Sequence, residues 1–156
     1  MRILMIQHRF KPAIGGSEEH VYLTSKGLIE KGNYVSVLTT KSLTDDDMPV
    51  LKLFGLYQKN SEPNLKGNEN IEGINVKRFS IKFRFWSFNW VPDLFREVKY
   101  SVKDFDTVHA HNYHVFSTFV ACYYAKKNHK RFVLTGHDII IPSNLPFYTK
   151  LLKKFY

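Results

Sequence analysis

Short apolar runs alternate with amphipathic stretches along most of the chain. Residues 2–7 form a nearly continuous apolar run, which suits a strand that is buried on both faces. From Ser17 onward the apolar positions fall on one helical stripe, and Gly32 supplies the expected end of that helix. Residues 34–40 are again rich in β-formers. Strand, helix and strand make one βαβ unit, which requires parallel strands.

The alternation pauses after residue 40 and then returns. Residues 61–70 are polar and predict a surface loop, and residues 74–81 predict the next strand. Pro92 opens a helix that ends before Lys103, and a strand, a helix and a strand follow at residues 106–111, 116–127 and 131–135. A last helical pattern follows Pro142 and is still running at Tyr156. We therefore expect the natural chain to continue, with residues 1–156 as its first domain.

These elements predict the fold class. Alternating strands and helices form α/β folds, and 156 residues suffice for one domain with a proper core. The prediction is a Rossmann-like, three-layer α/β/α domain with a mainly parallel sheet.

The excess of positive charge lies in the second half of the chain. The net charge is +9, and nine Lys/Arg face nine Asp/Glu through Val76, whereas fourteen face five from Lys77 onward. This asymmetry indicates an acidic partner, which can be a nucleic acid, an anionic membrane or a phosphorylated substrate. The single cysteine, Cys122, excludes an intrachain disulfide, and no apolar run is long enough for a signal peptide or a membrane span. We expect a cytoplasmic protein.

Gly15 and Gly16 lie at the junction of the first strand and the first helix. A helix N-terminus attracts anions, and residues without Cβ let a ligand approach its N–H groups. This predicts a phosphate or carboxylate site. The alternative is a plain tight turn in which Ser17 is the N-cap and the acids Glu18 and Glu19 face water in the first turn.

Polar side chains follow the predicted strands where ligands bind in parallel α/β sheets. They are His8, His111, Asn112, His114, His137 and Asp138. His109 and His111 share one face of their strand, but two histidines without a third ligand make a poor zinc site, and a buried partner for one of them is an equal alternative. We predict no metal here, and expect these histidines to donate hydrogen bonds to sugar or phosphate.

The most aromatic stretch, residues 82–90, leaves two interpretations open. In one, Phe83 and Phe85 continue a strand into the core and the Trp side chains pack beneath a loop. In the other, an apolar patch lies exposed beside cations and contacts an anionic membrane or a lipid-linked acceptor. The residues of that patch are Lys82, Arg84, Phe85, Trp86, Phe88 and Trp90. Such a stretch also suits single-stranded nucleic acid, but no nucleic-acid-binding signature accompanies it, so that partner is not expected.

Four segments together carry a family resemblance. They are Gly15-Gly16-Ser17-Glu18, the strand at residues 34–40, Phe105-Asp-Thr-Val-His-Ala-His-Asn112 and Val133-Leu-Thr-Gly-His-Asp138. In this order and spacing they resemble the N-terminal domain of the group-1 (family 4) glycosyltransferases with the GT-B fold. The resemblance spans essentially the whole chain. One departure is the turn Gly32-Asn33, where the family usually has Gly-His, and it should matter little.

The resemblance implies a function and roles for individual residues. The enzyme would have two Rossmann-like domains, of which the first mainly holds the acceptor and the second, absent from this sequence, holds a nucleotide-sugar donor. It would transfer a hexose to an acceptor hydroxyl with retention of configuration, without a cofactor or an obligatory metal, and this domain alone would be inactive. His111 would contact the donor sugar and organise the leaving phosphate. The other expected contacts in the cleft are His8, Gly15, Gly16, Glu18, Asn112, His137 and Asp138.

Three other function classes stay open at this point. A nicotinamide dehydrogenase also begins with a strand, a glycine loop and a helix, but Gly15-Gly16 lacks the Gly-x-Gly-x-x-Gly pattern. A nucleotide-sugar 2-epimerase shares the GT-B fold. A basic, non-enzymatic binding module would explain the charge but not the histidines. The acceptor can be a sugar or a lipid-linked molecule, and the latter would favour peripheral contact with the inner face of the cell membrane.

Overall fold

The computed structural model describes residues 1–43, 64–85, 88–113 and 115–137, without the side chains of residues 84, 85 and 88. Three helices, one short 3-10 turn and eight strands lie in these ranges. In chain order they are β1 (Arg2–Ile6), α1 (Gly16–Glu30), β2 (Tyr34–Thr40), β3 (Asn68–Ile71), β4 (Ile74–Phe79), β5 (Phe83–Phe85), β6 (Phe88–Trp90), α2 (Pro92–Ser101), the 3-10 turn (Val102–Asp104), β7 (Thr107–His111), α3 (Phe116–Lys127) and β8 (Arg131–Thr135).

Six strands form one sheet in the order β3-β4-β2-β1-β7-β8. Every pairing in it is parallel except that of β3 with β4. From β1 the chain builds outward to β2 and β4 on one side, then returns to place β7 on the other side of β1. The strand order therefore reverses between β1 and β7, and the crevice beyond the carboxyl ends of these two strands is where ligands bind in such sheets.

Helices cover both faces of the sheet, so the domain has three layers. On one face Val21 of α1 packs against Ile3 and Met5 of β1 and their neighbours on β2 and β4. On the other face α2 and α3 pack against Leu4, Ile6, Val108 and Ala110. The nearly continuous apolar sequence of β1 is explained by this burial on both faces. The predicted α/β, Rossmann-like, mainly parallel architecture is confirmed.

The prediction of a surface loop at residues 61–70 was partly wrong. Residues 68–70 belong to β3, which pairs antiparallel with β4 through a turn at Glu72 and Gly73, both with positive φ (48° and 88°). Its sequence, Asn-Glu-Asn-Ile, is almost wholly polar because β3 is an edge strand that is held mainly by backbone pairing. A prediction made from apolar periodicity therefore overlooks it. Residues 61–63 of the same predicted loop lie outside the described residues.

The aromatic stretch forms a separate hairpin and does not extend β4. β4 ends at Phe79, and β5 pairs antiparallel with β6 in a two-stranded sheet. Phe83 is 57% exposed, so the interpretation that places it in the core is wrong. Trp90 is 42% exposed. Trp86, the side chains of Arg84, Phe85 and Phe88, and the helix predicted after Pro142 lie outside the described residues.

Candidate functional site

The start of α1 lies beyond the carboxyl end of β1 and differs from both sequence interpretations. Gly15 is the N-cap residue, the helix begins at Gly16, and its first backbone bond joins Glu19 N to Gly15 O at 3.0 Å. Ser17 is therefore not the N-cap. Its hydroxyl accepts a hydrogen bond from Gln7 Nε2 at 3.1 Å and donates one to Glu18 Oε2 at 3.0 Å. The bond from Gln7 ties α1 to the end of β1, and the bond to Glu18 lies within α1.

Glu18 does not face water as its sequence position suggested. It is 1% exposed, and its Oε1 lies 2.8 Å from Arg9 Nε. A Cβ on Gly15 would lie 2.2 Å from Glu18 Oε2, whereas a Cβ on Gly16 would meet nothing within 4 Å. Gly15 is thus needed to admit the Glu18 carboxylate, and only Gly16 has open space beside it.

Four imidazoles gather at the same edge of the sheet, and we call His20, His109, His111 and His137 the histidine cluster. The ring centroids of His109 and His111 are 4.2 Å apart, which confirms that they share one strand face. His111 Nδ1 lies 3.3 Å from His137 Nε2. His20 of α1 stands edge-on to both rings, with centroids 6.0 Å from His111 and 5.3 Å from His137.

Burial favours the neutral form of three members of the cluster, His109, His111 and His137. Burial first, and then the charges that His109, His137 and His20 would carry, lower the pKa of His111 to about 3. Burial also lowers the pKa of His109 and of His137 below the ordinary value of 6.5, although for His137 the Glu18 carboxylate opposes this shift. At physiological pH His111 is therefore a neutral imidazole, which donates at one nitrogen and accepts at the other.

Two buried polar atoms at this edge lack a hydrogen-bond partner within the described residues. They are His111 Nε2 and Gln7 Oε1. His111 is 1% exposed and its other nitrogen is already engaged by His137. His109 differs, because its Nε2 lies 2.8 Å from Thr135 Oγ1 on β8. An unpartnered buried nitrogen is costly, so His111 has unused capacity to bind a ligand group.

The turn after β7 fixes the position of His111. Asn112 has φ of 67°, a left-handed conformation that Asn tolerates better than most residues, and its N–H donates to Thr135 O at 3.0 Å. The Thr118 hydroxyl in the first turn of α3 donates to Asn112 O at 2.8 Å and lies 3.2 Å from His111 O. The end of β7, the turn after it and the first turn of α3 thus fix the backbone that carries the His111 imidazole.

His8 follows β1 and is held mainly through its backbone. Its carbonyl accepts hydrogen bonds from the hydroxyls of Thr39 and Thr40 at 3.1 and 2.7 Å. Its Nε2 lies 3.4 Å from Nδ2 of Asn89, which is buried on β6. The aromatic hairpin therefore borders the same crevice through Asn89.

The structure brings together Gly15, Gly16, Glu18, His111 and His137, and places Asn112 directly after His111. Two of the predicted membrane contacts, Lys82 and Trp90, have described side chains. Lys82 is exposed on the hairpin, and Trp90 stacks against Phe95 and Phe116 of α2 and α3. Arg84 has a described backbone only, and Trp86, His114 and Asp138 lie outside the described residues.

Sequence analysis missed three residues of this site: Arg9, His20 and Asn89. His20 carried a usable signal, since it lies four residues after Gly16 and so on the same face of α1 one turn later. Arg9 lies in a loop, and Asn89 lies in a stretch that was interpreted by its aromatic residues. No periodicity indicates that either would face the site.

No group of three or more His, Cys, Asp or Glu side chains in the described ranges is arranged to hold a metal ion. Nor is any helix within residues 1–43, 64–85, 88–113 or 115–137 long and apolar enough to span a membrane.

Comparison with known proteins bears on the family. The model of Glycosyltransferase Family 4 matches residues 14–156, which is most of the chain. No match was found among the curated proteins or among the solved structures. The matched segment contains the start of α1, the histidine cluster and the β7 turn, whereas Gln7, His8 and Arg9 precede it. The chain therefore belongs to glycosyltransferase family 4.

Proposed function

We propose that this chain is the acceptor-binding N-terminal domain of a retaining glycosyltransferase that moves a hexose from a nucleotide sugar to an acceptor hydroxyl. Membership of family 4 supports sugar transfer in general. The observation that carries the finer proposal is the neutral, incompletely bonded His111 beside the start of α1, at the switch point of the sheet.

His111 suits a sugar hydroxyl better than a phosphate. A neutral imidazole offers one donor and one acceptor, as a hydroxyl does, and His137 already occupies Nδ1. Nε2 is then the atom that contacts the donor sugar. Because solvent does not reach Nε2, a neighbouring side chain must move when the sugar binds.

The departing phosphate is held at the start of α1. The N–H groups of the first helical turn have no acceptor within the helix, and the space beside Gly16 is open. Arg9 offsets the negative charge of Glu18 at 2.8 Å, so this end of α1 keeps its attraction for an anion. Donors fixed in advance stabilise the charge that develops on the phosphate as the glycosidic bond to the nucleotide breaks.

A second Rossmann-like domain, as in the GT-B architecture, would supply the nucleotide site and close the cleft over His8 and His137. Residues 1–156 alone would then be inactive. No metal and no cofactor take part in this scheme. The acceptor is a sugar or a lipid-linked molecule, and the reaction takes place in the cytoplasm as a step of carbohydrate biosynthesis.

The test uses the whole protein as encoded by its gene. It is incubated with labelled UDP- and GDP-hexoses together with lipid and oligosaccharide extracts of the source cells, and NMR of the product gives the anomeric configuration. We expect transfer with retention from one donor. His111→Asn should lower kcat about a hundredfold with a smaller change in KM, as loss of a transition-state contact does.

His129→Asn is the matched control. His129 is exposed, lies outside the cluster and has φ of 53°, which Asn accepts. Its activity should equal that of the parent protein. An isomerised nucleotide sugar in place of a glycoside, or equal activity of His111→Asn and His129→Asn, would contradict the proposal.

A further inference from the structure

A groove of about 550 Å³ lies between α2 and α3, on the sheet face opposite α1, and the proposed transfer does not use it. Seven of its ten lining side chains are aromatic, one is Val120, and the remaining two are Arg96 and Lys99. None of the described residues that line it is acidic.

The aromatic rings at its rim are unusually exposed. Phe119 and Tyr123, one turn apart on α3, are 61% and 59% exposed, and Tyr100 on α2 is 55% exposed. Beneath them Phe95 stacks edge-on against Trp90 and Phe116, each with centroids at 5.3 Å. The groove thus has a packed aromatic floor and an apolar rim in water, and a continuous apolar surface of this kind marks an interaction site.

Cations accompany the rings. Lys99 Nζ lies 5.2 Å from the ring centroid of Tyr100, and Lys127 Nζ lies 6.0 Å from that of Tyr123. The side chain of Arg96 is 70% exposed, and its contact with Asp93 at the surface is loose, at 3.8 Å. The sequence of α3 contains no acidic residue. Both sides of the groove therefore combine exposed rings with positive charge.

We propose that the groove between α2 and α3 is a docking surface for a membrane rich in anionic lipid. Lys and Arg attract the anionic headgroup layer, while Phe and Tyr insert to the depth where a ring meets hydrocarbon below and water above. Each side of the groove presents cations beside exposed rings, which matches a partner whose anionic headgroups cover an apolar interior. Single-stranded nucleic acid would instead need cations along a continuous track.

The position of the groove relates it to the histidine cluster. α3 begins five residues after His111, and its Thr118 hydroxyl lies 3.2 Å from His111 O. A membrane bound along α2 and α3 therefore meets the same rigid unit that carries His111. Docking does not depend on the proposed transfer reaction, so it can fail without affecting that proposal.

The experiment measures flotation of the whole protein with phosphatidylcholine vesicles that contain or lack about 30 mol% phosphatidylglycerol. The parent protein should bind the anionic vesicles at low salt and not the neutral ones. Phe119→Ser with Tyr123→Ser, and separately Arg96→Gln with Lys99→Gln, should each lower the partition coefficient about tenfold. These side chains are at the rim, so unfolding midpoints should match that of the parent.

Matched variants away from the groove serve as controls. Leu23→Ser removes an equally exposed apolar residue, 57% exposed, from α1, and Lys31→Gln with Lys66→Gln removes two exposed charges elsewhere. Each should change partition less than about twofold. The proposal is overturned if the parent protein ignores anionic vesicles or if the controls lose binding as the groove variants do. It is equally overturned if sedimentation shows a dimer that only the groove variants dissociate, since a second copy would then fill the groove.

Discussion

Gly15 and Gly16 differ in what a side chain would meet at each position. At Gly15 a methyl group would run into the Glu18 carboxylate, whereas the space beside Gly16 is open. Neither residue has the positive φ that would demand glycine on backbone grounds. Sequence analysis treated the pair as one motif for ligand approach. The structure separates them, because only the tertiary fold turns Glu18 inward to meet Arg9.

Gly15→Ala should destabilise the protein by about 1–3 kcal/mol, because the added methyl displaces Glu18 from its buried pair with Arg9. Gly16→Ala should be neutral or stabilise by up to about 1 kcal/mol, since it adds a better helix former where nothing obstructs it. Urea unfolding of the two variants measures both effects. Equal stabilities would show that the Glu18 pocket does not require glycine.

A substrate assay tests whether the open space beside Gly16 holds the phosphate. If phosphate is held beside Gly16, then Gly16→Ala should raise KM for the nucleotide sugar about tenfold while the protein stays folded, because the methyl occupies the open space. An unchanged KM for Gly16→Ala would move the phosphate site away from the start of α1.

Among the elements, the edge hairpin β3–β4 steadies the loop that leads to the site. Arg78 of β4 is 4% exposed; it forms an ion pair with Glu69 of β3 and donates a hydrogen bond to the carbonyl of Lys11. Through these two contacts the edge of the sheet supports the segment between β1 and α1. The polar sequence of β3, which hid this strand from apolar patterning, supplies the carboxylate that Arg78 needs.

Arg78→Met should cost about 2–4 kcal/mol, because it leaves Glu69 and the Lys11 carbonyl without their partner. The amide of Ala13, bonded to Phe10 O at 3.1 Å within that loop, should exchange faster with solvent. Urea unfolding measures the first effect, and amide hydrogen exchange measures the second.

Lys77→Met is the control for this change. Lys77 is the neighbouring residue, its side chain is 46% exposed, and it pairs with Glu97 at the surface, so its loss should cost less than about 1 kcal/mol. If both variants lose equal stability, Arg78 has no special role in holding the loop.

Across the whole molecule the neutral histidines couple stability to pH. The folded pKa of His111, about 3, lies below its ordinary value of 6.5, so between these values the unfolded state binds the proton and the folded state does not. Stability is therefore complete above about pH 6.5 and is lost as pH falls toward 3, at up to about 1.4 kcal/mol per pH unit for each proton. His109 and His137 shift in the same direction and add to the loss.

Denaturant unfolding between about pH 7 and pH 4 measures this loss. The free energy of unfolding should fall less steeply with decreasing pH in His111→Asn than in His129→Asn. The reason is that His111→Asn lacks one of the imidazoles that take up a proton on unfolding, whereas His129→Asn keeps His111. An identical slope in the two variants would mean that His111 titrates normally in the folded protein.

The sequence by itself determined the parallel strands of the sheet and the helices between them, although not β3 or the β5–β6 hairpin, and it determined the edge at which His8, His111 and His137 lie. These follow from local periodicity and from the geometry of βαβ units, which bring strand ends to one edge wherever the chain folds this way. Periodicity and connectivity alone were therefore enough to bring His8, His111 and His137 to one edge of the sheet, while their roles stay a prediction.

The tertiary structure alone decided that Glu18 is buried, that His20 joins the cluster, and that α2 and α3 leave an aromatic groove between them. Periodicity assigns a residue to a face of its own helix but does not say what that face meets. Glu18 and Glu19 look alike in the sequence, and only the position of Arg9 and Gly15 makes one of them internal. Contacts between distant elements depend on packing, and packing is a property of the assembled domain.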